Sequence, residues 1–332
     1  MMKKTLTFLS LLILVGQVAF AQQDPMFTKY MFNSLIFNPA YAGSKEHMSV
    51  NLLHRTQWYE IEGAPSTQTL TAHTPLRNER VAVGFSMIND KIGPTNSIGA
   101  NVIYAYRIPL GKSLKLSIGL QGGIENTRGD WNELLLENQV DPAYAENLSS
   151  FRPNFGAGFY LYNKHFYVGG ASPHLVEYDL RPSAVTPIYA RQIRHYYFST
   201  GAAIPLRGDA LIFKPSILWK NVGLDKRFTK IDEFRDIGAP NEVDFDVSLL
   251  FHEALWVGLS YRTSFAYIED GRSSDDSMDI WMSYVMKNGF RFGVAYDYTT
   301  NELNNVTNGA FEIMLGYEFN FDEKKVVTPR YF

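Results

Sequence analysis

Apolar and polar residues alternate one for one along much of this chain, most plainly from Gly289 to Phe321. Phe290, Phe292, Val294, Tyr296 and Tyr298 share one face of an extended segment. Gly289, Arg291, Gly293, Ala295 and Asp297 share the other. After the polar stretch Thr299 to Thr307 the pattern restarts. Phe311, Ile313, Leu315, Tyr317, Phe319 and Phe321 then oppose Ala310, Glu312, Met314, Gly316, Glu318 and Asn320. A period of two places alternate side chains on opposite faces, so each run predicts a β-strand. A soluble sandwich has the same period, with its apolar face in the core. Here aromatics crowd the ends of the greasy face, while glycines and charges occupy the middle of the other. That is the pattern of a strand between lipid and a polar lumen.

The same reading predicts fourteen strands, at 47–58, 66–75, 80–89, 96–109, 113–126, 153–163, 165–174, 193–205, 210–220, 241–252, 254–264, 277–286, 289–298 and 308–321. Pro215 weakens the strand 210–220, because proline cannot donate to a ladder. Every second connection is long or polar: 59–65, 90–95, 127–152, 175–192, 221–240, 265–276 and 299–307. Those between are short. Outer-membrane barrels have an even strand number, short periplasmic turns and longer outside loops, whereas Greek-key sandwiches show no such alternation. The predicted fold is therefore all-β: a transmembrane antiparallel β-barrel of about 14 strands, with a short N-terminal helical or plug segment. Both termini are expected on the periplasmic side.

Residues 1–21 read as a secretory signal peptide, with Lys3 and Lys4, an apolar centre and an Ala19-Phe20-Ala21 cleavage site. Residues 22–46 form the expected plug segment, 47–321 the barrel and 322–332 a periplasmic tail. Within the plug segment, Asp24 caps a predicted helix with Pro25 at its first position. Phe27, Tyr30, Met31, Ser34 and Leu35 recur at helical spacing, and Asn38-Pro39 ends the run. Periodicity alone fits either a plug or a short helix packed on a core.

Composition adds exclusions. The 332 residues include 20 Tyr and 23 Phe, and the formal net charge of −3 gives no basis for a nucleic-acid partner. Cysteine is absent, which removes disulfides, thiolate metal sites and lipoprotein acylation. His252-Glu253 begins a zincin-like motif, but Trp256 stands where its second histidine belongs. No nucleophile elbow or nucleotide fingerprint is present. The expectation is a non-enzymatic protein without catalytic residues, metal or cofactor.

Several stretches resemble the PorP/SprF family of Bacteroidota outer-membrane proteins. The mature start carries Asp24, Pro25, Phe27, Tyr30 and Asn33, followed by Asn38, Pro39, Tyr41 and Gly43. Arg55-Thr56-Gln57-Trp58, Gly63 to Thr69, His73 to Leu76, Asp141 to Tyr144, Pro153 to Gly158, Tyr296 to Thr299 and Pro329 to Phe332 fit too. Lys29 departs from the glutamine expected there. The resemblance covers essentially the whole mature chain. It implies an outer-membrane barrel associated with the type IX secretion system and, in bacteria with gliding motility, with the export or surface anchoring of large adhesins. Its implied partners are outer-membrane lipid, type IX secretion components, and a secreted adhesin or cargo C-terminal domain. The alternative is a barrel resembling the long-chain fatty-acid transporters, which are also fourteen-stranded. Asn38-Pro39-Ala40 matches their Asn-Pro-Ala box, but their N-terminal hatch is longer.

Docking is expected on the outside loops, since loops on a rigid scaffold carry binding. Loops 127–152 and 265–276 are acidic, and Arg181, Arg191 and Arg194 surround the loop between them. Trp131 and Tyr144 are the candidate aromatic anchors.

Overall fold

The computed structural model describes residues 30–131, 147–179, 191–222, 241–264, 275–300 and 302–319. Fourteen strands form the wall. They are β1 (Met48–Thr56), β2 (Ser66–Pro75), β3 (Val81–Ile92), β4 (Thr95–Pro109), β5 (Lys115–Gly129), β6 (Leu148–Tyr162) and β7 (Phe166–Ser172). β8 (His195–Ala202), β9 (Leu211–Val222), β10 (Glu242–Phe251), β11 (Leu255–Ser264), β12 (Asp275–Val285), β13 (Phe290–Thr299) and β14 (Ala310–Phe319) follow. Each pairs antiparallel with its sequence neighbours. The first and last close the ring, with Met48 opposite Phe319 and Thr56 opposite Phe311. A closed antiparallel barrel leaves no backbone edge to lipid, as a spanning sheet requires.

Its side chains are sorted the reverse of a soluble core. Leu315, Ile313 and Phe311 are exposed, while Met314 and Glu312 between them are buried. β10 repeats this, with Phe245 and Val247 outside and Asp244, Asp246 and Ser248 within. Polar residues line the inside and apolar ones face out, which suits a wall standing in hydrocarbon.

Several boundaries differ from expectation. β3 runs to Ile92 and β4 starts at Thr95, so the expected 90–95 connection is only the turn Gly93-Pro94. β5 and β6 climb to Gly129 and Leu148, which shrinks the expected loop 127–152 to 130–147. The expected strand 193–205 breaks at Ala203: β8 stops at Ala202, and Ile204–Pro205 resumes beside β9. Pro215 explains the break. It keeps its pairing with Val247 on β10, and its missing N–H falls where β8 is interrupted. β9 is therefore continuous through the proline. The expected signal peptide, the first part of the plug segment and the tail lie outside the described residues.

Candidate functional site

Residues from Tyr30 to His47 lie inside the barrel. They form three short 3-10 turns, Tyr30–Phe32, Ser34–Ile36 and Pro39–Tyr41, in place of the single amphipathic helix that the spacing predicts. Two asparagines account for the difference. Asn33 sits at φ −128 and ψ 36, off the helical region, and donates to Thr69 Oγ1 at 2.9 Å while accepting from Thr71 Oγ1 at 2.9 Å. Asn38 accepts from the Ala40 N–H at 3.0 Å and donates to the Phe159 carbonyl at 3.1 Å. Both side chains hold the wall, and helical continuity is given up for it.

Rings fill the space between. Phe32 meets Trp256 and Trp281 edge-on, with centroids 5.4 and 5.3 Å away. Phe37 stacks on Tyr197, and Tyr41 meets His73 and Tyr160 edge-on. The Tyr30 hydroxyl is 2.9 Å from Ser216 Oγ. These pairings add packing energy to a face already removed from water. One remaining gap, bordered by Met31, Tyr41, Tyr160 and Lys214, measures about 20 Å³, room for a single water.

The lower end of the segment is tied by polar groups. Gly43 has φ +74, and a Cβ there would stand 2.4 Å from the Ala82 Cβ. Its N–H donates to His73 Nδ1 at 3.1 Å, and Arg107 Nη1 donates to its carbonyl at 2.6 Å. Lys45 pairs with Glu318 at 2.8 Å, Arg291 joins the same carboxylate at 2.5 Å, and Lys115 pairs with Glu46. Burial pushes the Tyr41 phenol up to about 12, so it stays neutral. Burial, with Arg291 adding to it, pulls the Lys45 ammonium down to about 8 against the attraction of Glu318.

Above this segment the lumen is lined by ion pairs. Arg55 reaches Asp297 at 2.5 Å and Glu312 at 3.3 Å, and Arg262 holds Asp244 through two bonds of 2.7 and 3.0 Å. Arg152 donates to Glu125 at 2.9 Å and Thr127 at 2.8 Å. At the rim, the Trp131 N–H donates to Asn147 Oδ1 at 3.0 Å, and Asn147 donates to Asp130 at 3.2 Å. The two ends of the β5–β6 connection are thus pinned together.

Residues 19–317 match the sequence profile of the type IX secretion system membrane proteins PorP/SprF. This chain belongs to the PorP/SprF family. No curated protein matches it in sequence. Among solved structures, the monoaromatic hydrocarbon channel CymD is similar at 13% identity and a TM-score of 0.50, over 88% of this chain and 94% of that one. The Acinetobacter baumannii outer-membrane protein Omp33 is similar at 10% identity and a TM-score of 0.46, over 83% of this chain and 100% of that one. At such identities the likeness to CymD is one of fold: an outer-membrane type of barrel.

The structure of this PorP/SprF protein brings Tyr30, Asn33, Asn38, Pro39, Tyr41 and Gly43 together in the lumen. Asp24, Pro25 and Phe27 lie outside the described residues. So do Tyr144 and Arg181. Arg191 lies in a two-residue ribbon opposite Asp179, and Arg194 donates to the Tyr196 hydroxyl at 3.3 Å. Trp131 is at the rim of a different connection. Sequence reasoning missed His73, Arg107, Trp256, Trp281 and Glu318 as partners of the luminal segment. The available signal was their position: each is an inward residue of a strand that alternates.

Proposed function

We propose that this PorP/SprF protein is an outer-membrane docking barrel of the type IX secretion and gliding machinery. It holds a secreted partner, an adhesin or a cargo's C-terminal domain, at the cell surface, and it performs no enzymatic step. In this reading the chain is exported by a cleaved signal peptide. Residues 22–46 are its plug, and the long connections face outward with Trp131, Tyr144, Arg181, Arg191 and Arg194 in contact with the partner.

The observation that carries this reading is the occupied lumen. A barrel whose interior is filled by its own chain, through contacts on every side, is built to present a surface rather than to pass a solute. Long connections at one end supply that surface. Charged rims set the rate of association more than the affinity, so aromatic anchors are needed as well.

The test is to replace residues 131–147 by a tight turn between β5 and β6. The expected result is a barrel that still folds and inserts while the secreted partner is lost from intact cells. Retention of the partner at the wild-type level would remove that connection from the dock. Steady conductance of the purified wild-type barrel, or lipid held in its lumen, would favour the fatty-acid-transporter reading instead.

A further inference from the structure

Arginines and lysines inside this barrel are matched with carboxylates. Arg55 has Asp297 and Glu312, Arg152 has Glu125, Arg262 has Asp244 and Lys220 has Glu242. At the lower end Lys45 and Arg291 share Glu318, and Lys115 has Glu46. Arg107 departs from this rule. It is 2% exposed, and its guanidinium has one partner, the Gly43 carbonyl, which Nη1 reaches at 2.6 Å. Its Nε and Nη2 are buried without a hydrogen-bond acceptor, and no carboxylate pairs with it among the described residues.

The strand register explains why no acid stands beside it. Arg107, on β4, lies directly opposite Ser117 on β5, and Ser117 lies opposite Tyr160 on β6. Two residues back along β4 is Ala105, paired with Ala82 on β3. All four of these neighbours are buried, and the Ser117 hydroxyl, like the arginine edge, has no partner. On the lumen side the guanidinium is covered by Gly43, which presents only backbone to it. A Cβ on Gly43 would stand 3.5 Å from both Nε and Cζ of Arg107. The unpaired Nε edge thus borders the space that a side chain at this position would fill.

An edge of this kind is costly in two ways. Nε and Nη2 together carry three N–H donors, and each loses its water on burial. The charge is the larger matter, because a buried ion is expensive unless an opposite charge lies beside it. A water molecule satisfies the donors but leaves the charge unmatched. An anion meets both needs, and the Nε–Nη2 edge is one of the forks by which arginine holds anions side-on. Enclosure sets the size. With alanine, serine and glycine around it and almost no exposure to solvent, the position suits a single-atom ion rather than an acid carried on a chain.

We propose that Arg107 and Ser117 bind a small monovalent anion of the halide class beneath the Gly43 turn. Arg107 then works with both of its edges. Nη1 holds the Gly43 carbonyl, the Nε–Nη2 edge holds the ion, and the Ser117 hydroxyl donates to it. The ion neutralises the arginine and so lets it grip the luminal segment without a carboxylate. This inference stands on the wall and the segment alone and is independent of what the barrel docks. A ligand that binds only the folded state stabilises it in proportion to its saturation, so the barrel should resist heat better as chloride rises.

The test uses the full-length protein purified in detergent. It is melted in series of sodium chloride and of sodium gluconate at equal ionic strength, and the folded fraction is read from heat-dependent mobility in gels. Arg107→Met, which removes the charge and the fork together, is melted beside it. Wild-type crystals grown in bromide are measured for anomalous scattering. The expected results are a wild-type melting temperature that rises with chloride to a plateau, no difference between the two salts for Arg107→Met, and a bromide peak between Arg107 and Ser117. Absence of that peak overturns the inference. So does a chloride response that Arg107→Met retains, since that is an effect of bulk salt. A peak without a chloride-dependent melt marks an adventitious ion only and overturns it too. Should Arg107→Met fail to fold, Ser117→Ala keeps the charge and removes one donor. Half-saturation by chloride should then need about tenfold more of the ion, equivalent to 1.4 kcal/mol, and an unchanged value overturns the site.

Discussion

Leu315 and Met314 are neighbours on β14, yet Leu315 is 52% exposed and Met314 is 0% exposed. One such leucine would be ordinary in water, but Phe311, Ile313 and Leu315 are exposed in a row on this face. A contiguous apolar face of this kind fits an apolar medium outside the barrel. Each outward residue is then solvated by hydrocarbon, and a charge placed there carries a cost that depends on depth. Arginine at the midplane costs about 2–4 kcal/mol and near the interface about 0–1. Leu315→Arg, in the middle of β14, should therefore sharply reduce the folded fraction in lipid vesicles. Tyr298→Arg, at the upper end of β13, should fold nearly as well as wild type. Folding titrations of the two variants check this, and equal yields would contradict the facing assigned to these strands.

At the scale of elements, what was legible in the sequence was what lipid imposes. Where a strand crosses the apolar band, outward residues must be greasy and inward ones need not be, so β10, β13 and β14 could be read with their faces correct. Where a strand leaves that band the constraint disappears. Asn126 and Arg128 face outward on β5, Thr127 inward, and Ser149 and Ser150 follow Leu148 at the start of β6. Polar residues on both faces look like loop, and the expected loop 127–152 swallowed the tops of both strands. The luminal segment was obscure for another reason. Its residues have helical spacing, but Asn33 and Asn38 find their partners on β2 and β6, far along the chain. Local periodicity cannot register such partners. Gly43 offers a direct check on this element. A side chain there meets Ala82 and must also adopt φ +74, a left-handed conformation costing about 1–2 kcal/mol outside glycine. Gly43→Val is expected to release the segment while the barrel stays folded. Limited proteolysis in detergent should cut between Tyr30 and His47 in the variant and spare the wild type. Equal protection of both would mean that Gly43 does not fix the segment.

At the scale of the molecule, the wall and its contents are one design. Small residues on the inner face let the segment's backbone touch the wall. A Cβ on Gly119 would lie 2.2 Å from the Ala40 nitrogen and 2.3 Å from the Pro39 carbonyl carbon. Backbone cannot yield to such an atom as a flexible side chain can. The glycine therefore reserves space for the luminal segment, and its replacement is expected to displace that segment without touching the lipid face. Fourteen strands lie between small barrels filled by their own wall side chains and wide porins with a water channel. Without the segment such a lumen is expected to conduct. Single-channel recording in planar bilayers tests this account most directly, with wild-type protein and Gly119→Leu inserted under the same conditions. Silent insertion of wild type and steady ion conductance through Gly119→Leu are expected. Steady conductance through wild type, equal to that of the variant, would contradict an occupied lumen and with it the reading of this barrel as a dock rather than a pore.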